Sequence, residues 1–182
     1  MQNRSFTLLA CEAGVILTCS LAQAATATVS KADRYFLSSA ATMDMTGAHA
    51  GQMAANQASA SEVKDFARML VQDDSDGFGH LAEVAAKVGV QIPRGINSGR
   101  IPSLEGLFAL KGTQFDRQFA RDEARAETRA LAAFRHEAKY GQNADVKQYA
   151  TKMIPVIEND LKRAQQCVAP AAKAKQQLTR KL

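Results

Sequence analysis

Four carboxylates fall on the apolar faces of four predicted helices. Each lies four or seven residues from an apolar side chain of its own helix, the spacing that places two residues on one face. A buried charge without a partner is costly, so these acids must be protonated, paired with bases, bound to a cation, or less buried than the pattern indicates. The acids are Asp44, Asp74, Glu127 and Asp160, and we expect them to face one interior.

The composition favours a single helical domain. The chain has 182 residues, enough to bury a core of ordinary size, and it contains no Trp and only 4 Pro. Apolar residues make up 46% of the chain and charged residues 23%, which argues against both a disordered chain and a membrane-embedded body. One compact domain is therefore expected.

The N-terminal residues resemble an export signal. Arg4 supplies a positive charge, residues 6–21 are mostly apolar, and Ala22-Gln23-Ala24 fits the small-x-small rule for cleavage. Cleavage there would make Ala25 the first residue of a periplasmic or otherwise exported protein. Glu12 opposes membrane insertion, so a cytosolic leader is the alternative.

The positions of the three cysteines limit which disulfides and lipid attachments the protein can have. Cleavage would remove Cys11 and Cys19 and leave Cys167 alone, which excludes a disulfide within the mature chain. Cys167 is then either a small apolar residue near the end of the last helix, or a reactive thiol or the site of an intermolecular disulfide. Lipid attachment to Cys19 is disfavoured because Thr18 is larger than the residue that a lipoprotein signal requires.

Caps and apolar stripes predict where the helices begin and end. Ser30 with Asp33 resembles a capping box at the start of the first helix, and Ser59 with Glu62 repeats that pattern for the second. Gly89 is placed to end the second helix. The predicted long helices span about 31–57, 59–88, 113–140 and 143–168, and a short one runs from Ser103 to Leu110 in the connection that begins at Val90.

Four helices with one apolar stripe each can bury those stripes only by packing together. The sequence contains no run with the period of a strand. We therefore predict an all-α four-helix bundle with a long connection between its second and third helices, and Pro155 predicts a kink in the fourth. Residues 1–24 are assigned to the signal peptide, 25–168 to the bundle and 169–182 to a basic flexible tail.

A series of short motifs along the predicted bundle resembles a known family. The motifs are Phe66 to Val71 with Asp73, Gly89 and Val90 with Pro93, Phe115 and Asp116 with Phe119, and Ile154 and Pro155 with Leu161. In order and spacing these motifs are similar to the bacterial domain-of-unknown-function family labelled predicted outer-membrane protein, and the similarity covers about 32–164. The resemblance implies a ferritin-like bundle in the cell envelope and no particular reaction.

The chain departs from the resembled family at three candidate positions. The family usually has histidine where this sequence has Asp74, Glu127 and Asp160. If those histidines form a metal centre in relatives, this chain would offer an oxygen-rich version, suited to Mn²⁺, Fe³⁺, Mg²⁺ or Ca²⁺ and poorly suited to copper. Ferritin-like centres also use Glu-x-x-His pairs, which this sequence lacks, so dinuclear oxidase chemistry is not expected. The alternative is that the acids line a pore or a stripe edge and pair with Arg or Lys.

Three histidines are weaker candidates for metal binding. His80 lies seven residues after Asp73 on a neighbouring ridge, and we include it with the four acids as a candidate ligand. His49 and His136 have less support, because a single histidine near a helical stripe is more often a hydrogen-bonded structural residue. The sequence contains no recognisable catalytic triad, glycine-rich phosphate loop or zinc spacing.

Arginine recurs at every fourth residue along the third long helix. This arginine ridge consists of Arg117, Arg121, Arg125 and Arg129. It is either a solvated face whose arginines pair with Asp122, Glu123 or a neighbouring helix, or a contact for anionic envelope polymers or a membrane surface. The net charge of +5 favours anionic neighbours, but no aromatic residues alternate with the arginines, so specific nucleic-acid binding is not expected.

These features predict a binding or stress-related module of the envelope without enzymatic activity. The alternative is a carboxylate-rich metal-binding or metal-dependent redox protein of ferritin-like type, with Mn, Fe or Ca as the metal. Because a ligand that favours the folded state raises apparent stability, the response of the melting temperature to added metal distinguishes the two.

The export prediction defines a testable N-terminus. Protein purified from the native cell envelope should begin at or near Ala25, because cleavage follows the small-x-small sequence. Mass spectrometry of the N-terminal peptide measures this position directly. An envelope fraction that retains Met1 would contradict the prediction.

Overall fold

The computed structural model describes residues 28–96, 99 and 101–179. Within these ranges the chain forms five helices and no strand, which confirms the predicted all-α class. The predicted signal peptide and the last residues of the predicted tail lie outside the described residues, whereas the fifth helix continues into the first part of that tail segment. The helices are α1 (Lys31–Gln57), α2 (Ser61–Lys87), α3 (Ile101–Ala109), α4 (Gly112–Tyr140) and α5 (Ala144–Thr179).

Four long helices pack around a shared interior. α1 packs along α2, and α4 packs along α5. The two pairs meet through α2 with α5 and through α1 with α4, while the short α3 lies against α4 and α1. Each long helix therefore directs one face towards the other three, as their apolar stripes require.

The apolar core is divided into two clusters. Along each long helix the buried residues of one cluster come before those of the other, and at least one acidic residue lies between them. The division places a polar layer across the interior. The first cluster is built around Phe36, Leu37, Leu81, Phe134 and Tyr149, and the second around Phe66, Leu70, Leu107, Phe115 and Phe119.

Asp33 ties the start of α1 to the turn between α4 and α5. The predicted capping box is confirmed, since the Ser30 hydroxyl accepts the Asp33 N–H at 3.0 Å and the Ser30 N–H donates to Asp33 Oδ2 at 3.0 Å. Asp33 Oδ1 accepts the backbone N–H of Gln142 at 2.9 Å. Glu137 faces Asp33, and burial, a hydrogen bond with Asp33 and the Asp33 charge raise the pKa of Glu137 to about 7.

The start of α2 corrects one prediction. Its N-cap is Ala60, which has no capping side chain, so the predicted capping box of Ser59 and Glu62 is wrong. Ser59 instead donates its N–H to Asp116 Oδ1 at 2.9 Å and its hydroxyl to Asp116 Oδ2. The Ala60 N–H also donates to Asp116 Oδ2, at 2.9 Å. A carboxylate from α4 therefore holds the segment that leads into α2.

The end of α2 agrees with the predicted glycine cap. Gly89 has a φ of +68°, a left-handed conformation that glycine adopts without strain. Its N–H donates to the Ala86 carbonyl at 3.2 Å, and the Val90 N–H donates to the Ala85 carbonyl at 2.8 Å. These two bonds form a Schellman motif, which satisfies carbonyl groups that the helix end leaves open.

The connection after α2 contains the predicted short helix. α3 begins at Ile101, before the predicted start at Ser103, because the backbone is already helical there. The Gln57 side-chain amide at the end of α1 donates to the carbonyls of Phe108 at 3.0 Å and Leu110 at 2.7 Å. These bonds fasten the end of α3 to α1.

Replacing Asp116 by Asn should destabilise the fold. The amide offers one acceptor oxygen where the carboxylate has two, so at least one donor of Ser59 or Ala60 loses its charged partner, a loss of about 1–2 kcal/mol. Ser59→Ala removes only the hydroxyl contact and should cost less. Urea denaturation followed by circular dichroism measures both, with Asp76→Asn on the exposed face of α2 as the control. Equal stability of Asp116→Asn and the control would contradict this role.

Candidate functional site

A cavity of about 330 Å³ lies in the polar layer between the two apolar clusters. All four long helices and α3 contribute to its wall. The structure brings the four acids predicted from the sequence together here, and their use as metal ligands stays a prediction. These acids are Asp44 on α1, Asp74 on α2, Glu127 on α4 and Asp160 on α5.

Three further acids line the same cavity and were not among the predicted site residues: Asp73, Asp122 and Glu123. Glu123 is the most enclosed of them, with 7% of its surface exposed. The sequence did contain a signal for it, because Glu123 lies four residues after Phe119 and four before Glu127, on the same stripe. Its position beside the arginine ridge favoured the interpretation that it pairs with arginine at the surface.

Several of these acids are enclosed without a hydrogen-bond partner. Asp44 is 8% exposed and Asp160 is 3% exposed, and Asp44 Oδ2 and Asp160 Oδ1 are buried with no partner. Asp74 is half-buried as a residue, but its Oδ2 is also buried with no partner. None of the ion pairs among the described residues involves these three acids. The cavity therefore holds carboxylate oxygens whose bonding capacity is unused.

Burial shifts the protonation of the acids contributed by α1 and α2. Loss of water raises the pKa of Asp44 from its ordinary value of 3.8 to about 7. The pKa of Asp74 is raised well above the same ordinary value, first by burial and then by the nearby charges of Asp44 and Glu127. Both carboxyl groups therefore hold their protons far more tightly than exposed aspartates do.

The acids contributed by α4 and α5 shift in the same direction. Burial and the charge of Asp122 raise the pKa of Glu123 to about 8. Burial and the charge of Glu123 raise the pKa of Glu127 to about 8. The pKa of Asp160 is also raised, by burial, by Glu127 and by Asp73. These carboxyl groups therefore hold their protons up to a higher pH than exposed acids do, and a bound cation would favour their ionised form.

Two glycines lie beside these acids where α1 and α2 pack together. A Cβ on Gly47 would overlap the carboxylate of Asp74. A Cβ on Gly77 would lie 3.1 Å from Met153 Cε and, at ordinary contact distance, 3.5 Å from Asp44 Oδ2. Gly47 thus leaves room for the Asp74 carboxylate, whereas Gly77 mainly leaves room for Met153.

The acids are spread over the cavity instead of surrounding one point. Among residues 28–96, 99 and 101–179, no group of three or more histidine, cysteine, aspartate or glutamate side chains is arranged to hold a metal ion. The chemistry of the unpartnered oxygens suits a cation, but their placement does not fit a single resident metal. Carboxyl oxygens would have to converge within coordination distance for that role.

The histidines do not join the acids. The side chain of His80 is 67% exposed, and its Nδ1 lies 3.8 Å from Glu83 Oε2, so the structure places it apart from the acids, and its role as a ligand stays a prediction. His49 is half-buried with its ring against Phe108, and His136 is exposed with its ring against Tyr140. His80 was included because it lies close to the stripe of α2, but one residue rotates a helix by about 100°.

The arginine ridge is not uniform. Arg117 is half-buried and its Nε is enclosed without a partner, whereas Arg121 is exposed. Arg125 pairs with Asp122 at 3.2 Å, as the solvated-face interpretation expects. Arg125 and Arg129 also line the cavity, so this part of the ridge lies beside the acids. Polyanion binding by the ridge stays a prediction.

Cys167 occupies a half-buried position on α5. Its thiol donates to the Glu62 carbonyl at 3.7 Å, and burial raises its pKa. A raised pKa leaves less thiolate at neutral pH, which favours the apolar interpretation over a reactive thiol.

Residues 18–167 match the family described as Domain of unknown function (DUF4142). The chain belongs to this family. The DUF4142 match includes every acid of the cavity wall and all of α1 to α4. No curated protein and no solved structure shows a significant match. Within the described part of this DUF4142 protein, no helix combines the length and the apolar character needed to cross a membrane.

The stability of the protein should fall as the pH rises from 5 to 8. The folded state keeps the Asp44 proton up to about pH 7, whereas the unfolded chain releases it near the ordinary pKa of 3.8, so the folded state binds more protons in this window. Glu123 and Glu127 extend the window to about pH 8. Asp44→Asn, which cannot ionise, should raise the melting temperature by roughly a few degrees at pH 8 and by a smaller amount at pH 5.

Differential scanning calorimetry of the chelator-treated protein at both pH values measures this effect. Asp76→Asn is the control, because Asp76 is exposed and this variant keeps Asp44, so it should melt as the native protein does at both pH values. A native protein that melts at a higher temperature at pH 8 than at pH 5 would contradict the argument.

Proposed function

We propose that this protein is an exported binding module of the bacterial cell envelope and that its acidic cavity takes up a cation. The observation that carries the proposal is that three helices enclose unpartnered carboxylate oxygens in one cavity: Asp44 Oδ2, Asp74 Oδ2 and Asp160 Oδ1. A cation would neutralise carboxylates that are otherwise costly to enclose, and it would use their free oxygens. The role is one of binding, and no reaction is assigned to the cavity.

A ferritin-like four-helix bundle and export complete the proposal. The packing of four long helices around one interior supports the ferritin-like assignment. Ala22-Gln23-Ala24 supports export, since it fits the rule for signal-peptide cleavage. Exposed arginines such as Arg121 and Arg129 support contact with anionic polymers or membrane surfaces of the envelope.

Binding of Mn, Fe or Ca is the second candidate function. The carboxylate oxygens of the cavity favour these hard cations over copper or zinc, although the softer thioethers of Met43 and Met153 share its wall. Because the acids are spread out, metal binding would require side chains such as Asp44 and Asp160 to turn towards one point. A metal-dependent redox role would further require a metal that changes oxidation state, such as iron or manganese.

Thermal stability measures cation uptake by the chelator-treated full-length protein. At pH 8 and fixed ionic strength, millimolar Mn²⁺, Ca²⁺ or an organic dication should raise the melting temperature. A ligand that binds only the folded state stabilises that state, and the stabilisation grows with the logarithm of its concentration relative to its Kd. Fe²⁺ is added under anaerobic conditions. A ligand at one hundred times its Kd contributes about 2.7 kcal/mol.

Asp160→Asn is the matched test variant, because Asp160 is 3% exposed and carries an unpartnered oxygen. The shift should be much smaller in this variant and unchanged in Asp76→Asn. If no cation of either class stabilises the native protein more than Asp160→Asn, the proposed function is wrong.

A further inference from the structure

The unpartnered acids are offset along the helix axes. Asp44 lies beside Gly77, and Asp74 lies beside Gly47. Asp44 and Gly47 are three residues apart on α1, a rise of about 4.5 Å, so the carboxylates of Asp44 and Asp74 are separated along the axis by about that distance. They therefore offer two anionic positions instead of one.

The acids of α4 repeat this offset. Glu123 and Glu127 are one turn apart on the same face, with about 5–6 Å between their Cβ atoms. Asp160 on α5 lies close enough to Glu127 for the Glu127 charge to act on it. The wall thus places carboxylates at two heights, separated by about one helical turn.

Apolar side chains share the wall with these carboxylates. Met43, Met153 and Ile157 line the cavity from α1 and α5, and Leu104 and Leu107 line it from α3. Such a surface suits a ligand whose charged ends are joined by an apolar segment. It suits a hard metal ion without its water shell poorly, because such a cation needs oxygen ligands on all sides.

Resting on the proposed function, we propose that the ligand of the cavity is a linear aliphatic diamine, a molecule with two ammonium groups joined by a methylene chain. Each ammonium group donates three hydrogen bonds, which separate carboxylates can accept without converging on one point. A chain of about three or four methylene groups holds its two nitrogens about 5–6 Å apart, which matches one helical turn of about 5.4 Å. The cavity volume of about 330 Å³ accommodates such a molecule.

The burial of the acids gives this site its ligand preference. Asp44 and Asp160 are 8% and 3% exposed, and each directs an unpartnered oxygen into the protein interior. A monoamine would satisfy carboxylates at one height and leave those at the other unpaired, which costs free energy in a buried site. Selectivity for chain length and for two charges therefore follows from the two anionic heights.

Isothermal titration calorimetry on the chelator-treated full-length protein tests the inference. The probes are unbranched diamines of roughly two to eight methylene groups, with monoamines of matched length, at pH 8, where aliphatic amines are protonated because their pKa is about 10.4. Affinity should peak near three or four methylene groups, and the matched monoamine should bind at least about tenfold more weakly. A flat dependence on chain length, or equal binding of the monoamine, would overturn the diamine assignment.

Two variants on different helices locate the binding. Asp160→Asn on α5 and Glu123→Gln on α4 should each weaken binding of the best diamine at least about tenfold, while the exposed control Asp76→Asn binds as the native protein does. Far-ultraviolet circular dichroism checks that the variants fold, and the length series on native protein does not depend on them. Equal loss in Asp76→Asn would also overturn the site.

Parallel titrations with Mn²⁺ and Ca²⁺ separate this inference from the proposed function. If either metal binds in a manner that Asp160→Asn abolishes while no diamine binds, the cation-binding function stands and the diamine inference fails. If neither class binds, both fail.

Discussion

The enclosure of carboxyl groups from four helices in one interior layer is the constraint on which the rest of this structure depends. Each such group loses its water, and each is near another of the same charge. Burial of the apolar clusters on both sides must offset the free energy that enclosing these carboxyl groups costs. The two apolar clusters therefore stabilise a fold whose central polar layer is destabilising.

Carboxylates play a different part at the ends of the helices. Asp33 accepts backbone N–H groups from Ser30 and Gln142, and Asp116 accepts those of Ser59 and Ala60. Both acids join chain segments that are far apart in sequence, and both have their oxygens satisfied. The same chemical group thus fastens the ends of the bundle where donors are present, and is left with unused oxygens in the middle where they are not.

The sequence predicted most of the helix boundaries, which depend on neighbouring residues, and some of the contacts between residues far apart in the chain. The start of α1 and the end of α2 followed from short-range patterns around Ser30 and Gly89, and the all-α class followed from the stripes. The meeting of the acids was predictable because stripe position determines which way a side chain points. The hydrogen bonds that hold the start of α2 were not predictable from the sequence. Their acceptor is the carboxylate of Asp116, which lies 57 residues from Ser59 and reaches it only because α4 packs against this segment. A ligand for the cavity could be proposed only once the placement of the acids along the four helices was known.

Gly47 couples two positions on different helices. Because a Cβ at this position would overlap the carboxylate of Asp74, an alanine there would force that carboxylate to move from the place it occupies. A substitution on α1 would thus rearrange an acid of α2 without altering any charge in the sequence. The shape of the acidic layer therefore depends in part on a residue that has no side chain.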